Sequence, residues 1–292
     1  MTAHGISDFT GRGVASNTAV RWYTVARRHW PFAVVGCILM LAVVGPVIAP
    51  YDPLQPAAGI PLQAPSLSHP FGTDQLGRDI LSRVLAGGRL SISVSVLAVS
   101  TAVVMGAILG TTAAAAHRLM AETIMRALDI VLSFPGILLA IILAAALGRG
   151  MTTLVIVIGV IFMAPVGRLV RAVVSTELEE DYVLSARLIG TKSVRLLGRH
   201  VGVNALPPVL VYATTLLAEA IIMEAALSFI GVGIAPPAPS WGNIMFDGQA
   251  FLYTGEWWIG FFPGAAIFVI VILLNSAADT LNDRLESGVE RL

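Results

Sequence analysis

The chain has one cysteine, one lysine and few charged residues of any kind. Cys37 has no partner with which to form an internal disulfide. Asp, Glu, Lys and Arg make up 12% of the residues, against roughly 25% in a soluble domain, so the charged outer faces of a large soluble helical protein are missing. The lone lysine, Lys192, stands in Gly190-Thr191-Lys192-Ser193. A phosphate-binding loop needs glycine directly before that lysine to bring it to the phosphates. Thr191 occupies the place, which excludes nucleotide hydrolysis by that route. There is no GxSxG elbow and no HExxH pair, and the five histidines are scattered without metal-ligand spacing. Formal net charge is zero, so nothing draws the chain as a whole to nucleic acid. No short apolar run followed by a small-residue cleavage site lies near the start, and the N-terminus is expected to be an uncleaved anchor. The chain is therefore expected to be non-catalytic and to bind no cofactor or metal of its own.

What is abundant is hydrophobicity: 56% of residues are apolar and the mean hydropathy is +0.83. A helix needs about 20 mainly apolar residues to cross the hydrocarbon of a bilayer. Six stretches qualify, at about 31–50, 91–114, 125–147, 152–174, 206–231 and 259–281. None shows the strict alternation of a membrane β-strand. The fold class expected is all-α, a polytopic membrane protein with six transmembrane helices. The second stretch, rich in Ser, Ala, Thr and Gly, suits close helix–helix packing.

Charge placement sets the orientation. With the N-terminus inside, 14 of the 18 basic residues fall on cytoplasmic segments and adjoining helix ends, and Arg78, Arg83, Arg89 and Arg149 fall outside. The positive-inside rule then puts both termini in the cytoplasm. Trp30 flanks the inner end of the first span, and Trp257 and Trp258 the outer end of the last.

This orientation divides the chain into a cytoplasmic tail (1–30), a first span (31–50), an extracytoplasmic loop (51–89), a five-helix transmembrane domain (90–285) and a cytoplasmic C-terminal tail (286–292). The loop begins Pro-rich, and its second half reads as an amphipathic helix around Asp74–Leu85. Thr73 or Asp74 stands at its N-cap, with acid-before-base pairs Asp74–Arg78 and Asp79–Arg83. A second outer loop, 232–258, carries Pro236, Pro237 and Pro239.

The polar stretch 177–204, ELEEDYVLSARLIGTKSVRLLGRHVGVN, falls inside. Leu178, Tyr182, Ala186 and Ile189 follow helical spacing, as do Val194, Leu197 and Val201. Gly190 falls between the two sets. Two short helices with a glycine-permitted break are expected, presenting Arg187, Lys192, Arg195 and Arg199 to the cytosol. On spacing alone such a pair either rests on anionic lipid headgroups or docks a soluble partner.

Four acids lie within apolar stretches: Glu219 and Glu224 in the fifth, Asp129 in the third and Asp279 in the sixth. Acids at membrane depth are costly and face a bundle interior or a watery path. Arg126 and Asp129 read as a local ion pair. Asn275 and Asp279, on one face, read as makers of interhelical hydrogen bonds.

Several of these segments also carry a family resemblance. DYVLSARLIGTKSVRLLGRHVGVN resembles the cytoplasmic signature loop of permease subunits of bacterial ABC importers, an E-A-A triplet followed after three residues by glycine. The triplet falls on Leu184-Ser185-Ala186 and the glycine on Gly190. HPFGTDQLGRDILSRVLAGGRLS, MRALDIVLSFPGILLAIILAAALG and EAALSFIGVGIAPPAPSWGNIM are similar to segments of the dipeptide/oligopeptide/nickel subfamily, in the same order. Together they cover roughly residues 32–285 and resemble its "C"-type permease. Two departures stand out. Gly202-Val203-Asn204 replaces the usual Leu-Pro-Asn, which puts in question how the docking helix ends, and Asn275-Ser276-Ala277-Ala278-Asp279 replaces Asn-Leu-Xaa-Gly-Asp.

The resemblance implies a type I importer permease fold in the bacterial inner (plasma) membrane. Ser185, Ala186, Arg187, Gly190, Lys192, Arg195 and Arg199 are its expected ATPase-coupling residues, and Glu224, Glu219 and Asp129 the expected pathway or gate acids. Glu224, in EAALSF, stands first among these, either as a gate-lining contact or as a structural partner for a neighbouring helix. The partners implied are a homologous second permease, two cytosolic ATPases holding ATP and Mg, and an extracytoplasmic solute-binding protein. Import of nickel or another small solute by the same architecture, and a self-sufficient secondary transporter or channel, remain as alternatives to a peptide importer.

Overall fold

The computed structural model of the chain describes residues 30, 33–38, 40, 42–191 and 193–289. The expected N-terminal surface segment and Lys192 lie outside the described residues. Among the described residues regular structure is helical, apart from an isolated antiparallel bridge between Thr73 and Asp79. We number the helices α1 (Ala33–Ile48), α2 (Ile80–Ala115), α3 (Arg118–Leu132), α4 (Gly136–Leu147), α5 (Met151–Leu178), α6 (Asp181–Leu188), α7 (Ser193–Leu196), α8 (Gly202–Phe229), α9 (Trp241–Gln249) and α10 (Trp258–Val289); a π turn, Leu197–Val201, joins α7 to α8.

The sequence suggested a separate outer helix from Asp74 and a span from residue 91. Instead one helix, α2, runs 36 residues without interruption. At 1.5 Å per residue it is about 54 Å long, well beyond a hydrocarbon core of about 30 Å, so it projects from the membrane. Its N-cap is Asp79, whose Oδ2 accepts from Ser82 N at 2.8 Å and Ser82 Oγ at 2.7 Å. Asp79 is thereby used as a cap and a partner of His69, at 2.9 Å, and does not pair with Arg83.

The most extensive helix pairing is α2 with α5. Ala98, Ala102, Gly106 and Gly110 recur every four residues along the buried stripe of α2. A Cβ on Gly106 would lie 2.6 Å from Val166, and one on Gly110 2.5 Å from the Gly167 carbonyl. Small residues let the two backbones approach, and close packing is what holds helices together where lipid offers no hydrophobic driving force.

The expected continuous third span is broken. α3 and α4 meet at 90° across Ser133-Phe134-Pro135. Pro135 carries no N–H and pushes Phe134 out of the helical region. α4, with 12 residues, extends only about 18 Å. Among the described residues four helices are long and apolar enough to cross a membrane, or up to five if the bent pair is one span; α1 is a shorter apolar helix. α1 packs through Val34, Ile38 and Ala42 into an apolar cluster with Ile80, Trp241, Ile259 and Leu274. Large apolar side chains elsewhere face outward, among them Val47 on α1 and Phe268 on α10. The chain is a multi-pass membrane protein.

Candidate functional site

The polar stretch folds as two short limbs about Gly190, as its pattern predicts, but Tyr182 and Ile189, both expected on the buried side, are exposed. α6 ends at Leu188, Gly190 takes a φ of +80°, and the chain restarts as α7. Among the described residues nothing lies within 4 Å of a Cβ built on Gly190, so it is backbone conformation that calls for glycine there. Val183 is fully buried and Ala186 half-buried, while Leu196 and Val201 anchor the second limb. Ile189, expected on the buried side, is 83% exposed, as the helix has already unwound by that point. It joins Leu184 and Leu188 in an apolar surface beside Ser185 and Arg187, with Arg195 and Arg199 also exposed.

The two ends of this hairpin are tied together by a contact no spacing rule pointed to. Asn204 Nδ2 donates to Glu177 Oε2 at 3.2 Å and to Tyr182 Oη at 3.1 Å, and Tyr182 Oη donates to Glu177 Oε2 at 2.5 Å. Glu177 belongs to the last turn of α5, Tyr182 to α6 and Asn204 to the first turn of α8. Burial and the Glu177 carboxylate raise the Tyr182 phenol above its ordinary pKa, which keeps it a donor. The Gly202 departure also has a use: a Cβ there would lie 2.9 Å from the Leu197 carbonyl, inside the wide π turn.

The three acids expected along the pathway are separated by the fold. Glu224 is fully buried; its Oε1 accepts from Ser228 Oγ at 2.7 Å, with Ser91 and Ser240 facing the same carboxyl and Oε2 without a hydrogen-bond partner. It joins α2, α8 and the start of α9 inside the chain. Glu219, five residues earlier, is exposed and lines an open, mainly apolar cavity of about 260 Å³ with Ile137, Phe162, Ile222 and Met223. Asp129 pairs with Arg168 of α5 at 3.7 Å, not with Arg126, because the bend after α3 lays that helix against α5. Asn275 and Asp279 are both exposed and make no interhelical hydrogen bond among the described residues.

At the end of the bundle away from the Gly190 hairpin, α9 follows the Pro-rich loop. Ser240 and Asn243 form a reciprocal capping box. Trp241 is buried and donates from Nε1 to the Val84 carbonyl at 2.9 Å. Gly88 makes room for its ring, which a Cβ would approach to 2.9 Å. Beside α9, Arg78 meets Asp74 at 2.6 Å in the turn ahead of α2 and not on the helix its spacing suggested, and Arg83 reaches Asp74 at 3.4 Å and Asp247 at 3.3 Å. The latter contact joins residues 164 positions apart, which no local pattern encodes. Burial raises the Asp247 carboxyl above its ordinary pKa even with Arg83 and Arg78 alongside.

With this geometry the comparisons with known proteins agree. Residues 102–291 match the family described as binding-protein-dependent transport system inner membrane component. The chain belongs to this family. A putative peptide transport system permease protein of Brucella abortus is 38% identical over 263 residues, 89% of this chain and 88% of the relative. The dipeptide transport system permease protein DppC of Alkalihalophilus pseudofirmus is 36% identical over 87% of this chain and 85% of its own. The di/tripeptide transport system permease protein DppC of Pseudomonas aeruginosa is 36% identical over 91% and 90%.

Among solved structures, an inward-facing form of the MetNI methionine ABC transporter superposes with a TM-score of 0.57 at 17% identity, covering 68% of this chain and 93% of that one. An amino acid ABC transporter with histidines gives 0.56 at 14%, covering 69% and 94%. The fold of this inner membrane component is that of ABC importer permeases. The family match includes the hairpin at Gly190, α8 and α9, while the Asp74–Arg83 segment precedes it.

Proposed function

We propose that the chain is a translocation subunit of an ATP-driven importer of di- and oligopeptides, working beside a homologous second permease, two cytosolic ATPases and an extracytoplasmic binding protein. The observation that carries the coupling role is the tied hairpin: exposed Leu184, Leu188 and Ile189 among Arg187, Arg195 and Arg199, on a support closed by Asn204. An apolar patch rimmed by charge suits a protein cleft better than lipid headgroups. Two short helices joined through Gly190 form a lever by which closure of the ATPases rocks the spans. Peptide cargo rests on the names of relatives that match nearly end to end.

In this reading the subunit is non-catalytic and ATP with Mg sits on the ATPases. The hairpin and both termini are cytoplasmic, the 51–89 and 232–258 loops face outward, and α1 with the bent α3–α4 pair completes six spans. Glu219 lines the shared path, since an exposed carboxylate midway along a membrane helix calls for water or a partner. Glu224 holds the outer hairpin to α8. Asp129, with Arg168, lies nearer the coupling side.

The test is uptake of a labelled dipeptide by the complete transporter in proteoliposomes. Uptake is expected to require ATP, this chain and all its partners, and the chain alone is expected to hydrolyse no ATP. Transport by this chain as a lone homodimer, or without ATP, would count decisively against the reading.

A further inference from the structure

The outer face carries a cavity that the coupling and pathway residues do not account for. It measures about 270 Å³ and is lined by Gln75, Arg78, Arg83, Arg149, Asn243 and Asp247, with apolar walls from the Pro236–Pro237 loop. Arg78 and Arg83 share Asp74 and Asp247 as counter-charges. That leaves Arg149 as surplus positive charge: it is exposed, lies against Gly231 and has no ion-pair partner among the described residues. Arg83 is 2% exposed; its Nη1 lies 3.4 Å from Asp74 Oδ2, but among the described residues its Nε donates no hydrogen bond and Gln75 Oε1 accepts none. Buried polar atoms are rarely left unmatched, and here they gather around one concavity with a net positive rim.

From this we propose that the cavity is a binding site for the terminal carboxylate of a short peptide, with Arg149 as its principal charge. Guanidinium groups pair with carboxylates through two parallel N–H donors. The volume falls just below the range of about 300–1,000 Å³ for pockets that enclose a whole small ligand. It suits one end of a peptide, with the remainder projecting outward. The ligand class rests on the peptide reading above; the cationic cavity itself does not.

The experiment places a single cysteine at Leu76, a half-exposed wall of the cavity, in a Cys37→Ser background of the assembled permease complex without its binding protein. Maleimide labelling is timed with and without dialanine. A Kd on the order of 1 mM leaves about a tenth of the sites free at ~10 mM dialanine, so labelling slows roughly tenfold. Dialanine amide, which has no terminal carboxylate, gives no protection, and Arg149→Gln removes the protection by dialanine. No protection by dialanine, equal protection by the amide, or protection that survives Arg149→Gln overturns the site. Dialanine uptake by the complete transporter is measured in parallel. Uptake without protection removes the site and leaves the importer reading standing, while protection without uptake does the reverse.

Discussion

Asn204 reaches back 27 positions to Glu177 and donates from Nδ2 to Oε2 at 3.2 Å. The same amide touches Tyr182 Oη, so the end of α5, the start of α6 and the start of α8 converge on three side chains. In the proposed coupling role, force applied to the hairpin passes through this cluster into α5 and α8.

Asn204→Ala is expected to loosen the hairpin without unfolding the spans. Each hydrogen bond lost from so exposed a cluster contributes about 1 kcal/mol or less. Membrane abundance should remain near wild type, while uptake falls severalfold and protease cuts the 181–204 segment faster. Tyr182→Phe should do the same more weakly, and the double variant should be less than additive. Full additivity would break the link between the two residues.

Gly190 separates conformation from space. Its φ of +80° is disfavoured for residues with a Cβ, by about 1–2 kcal/mol, and asparagine tolerates it best. Gly190→Val should abolish uptake and weaken ATPase association, whereas Gly190→Asn retains much of both. If valine and asparagine prove equally harmful, the turn is not what glycine provides.

Trp241 ties α9 to α2. Trp241→Ala removes a buried ring and its bond to Val84 and should cost about 3–5 kcal/mol, seen as lower melting in detergent and less protein in the membrane. Gly88→Val should mimic it by driving a side chain into the same ring. An unchanged melting temperature in both variants would show that this contact is dispensable.

Topology can be read by labelling in a Cys37→Ser background. Ser240 is fully buried and Tyr253 is 99% exposed, so Tyr253→Cys is the outer reporter and Leu188→Cys, at an 81% exposed position, the inner one. An impermeant maleimide added outside should label the first and spare the second. The reverse pattern removes the hairpin from the cytoplasm.

Much of this protein was legible in its sequence because membrane insertion is a matter of composition and length. The apolar character of the spans, the glycine break at 190 and the family-like segments are local signals that stand where the sequence put them, whereas the third stretch is broken at Pro135 and Asp74 meets Arg78 in a turn ahead of α2. What only the tertiary structure decided are contacts across distance and the choice of face. Pro135 marked a possible break, but a 90° bend depends on α3 finding α5, and that contact gives Asp129 to Arg168 and not to Arg126. Asp79 and Arg83 have ideal helical spacing, yet capping claims one and Asp247, 164 positions away, claims the other. Glu219 and Glu224 sit in the same apolar helix, five residues apart. Only the packing of α2 and α9 around α8 buries one and leaves the other open, because a turn of 100° per residue puts the two carboxylates on different sides of the helix.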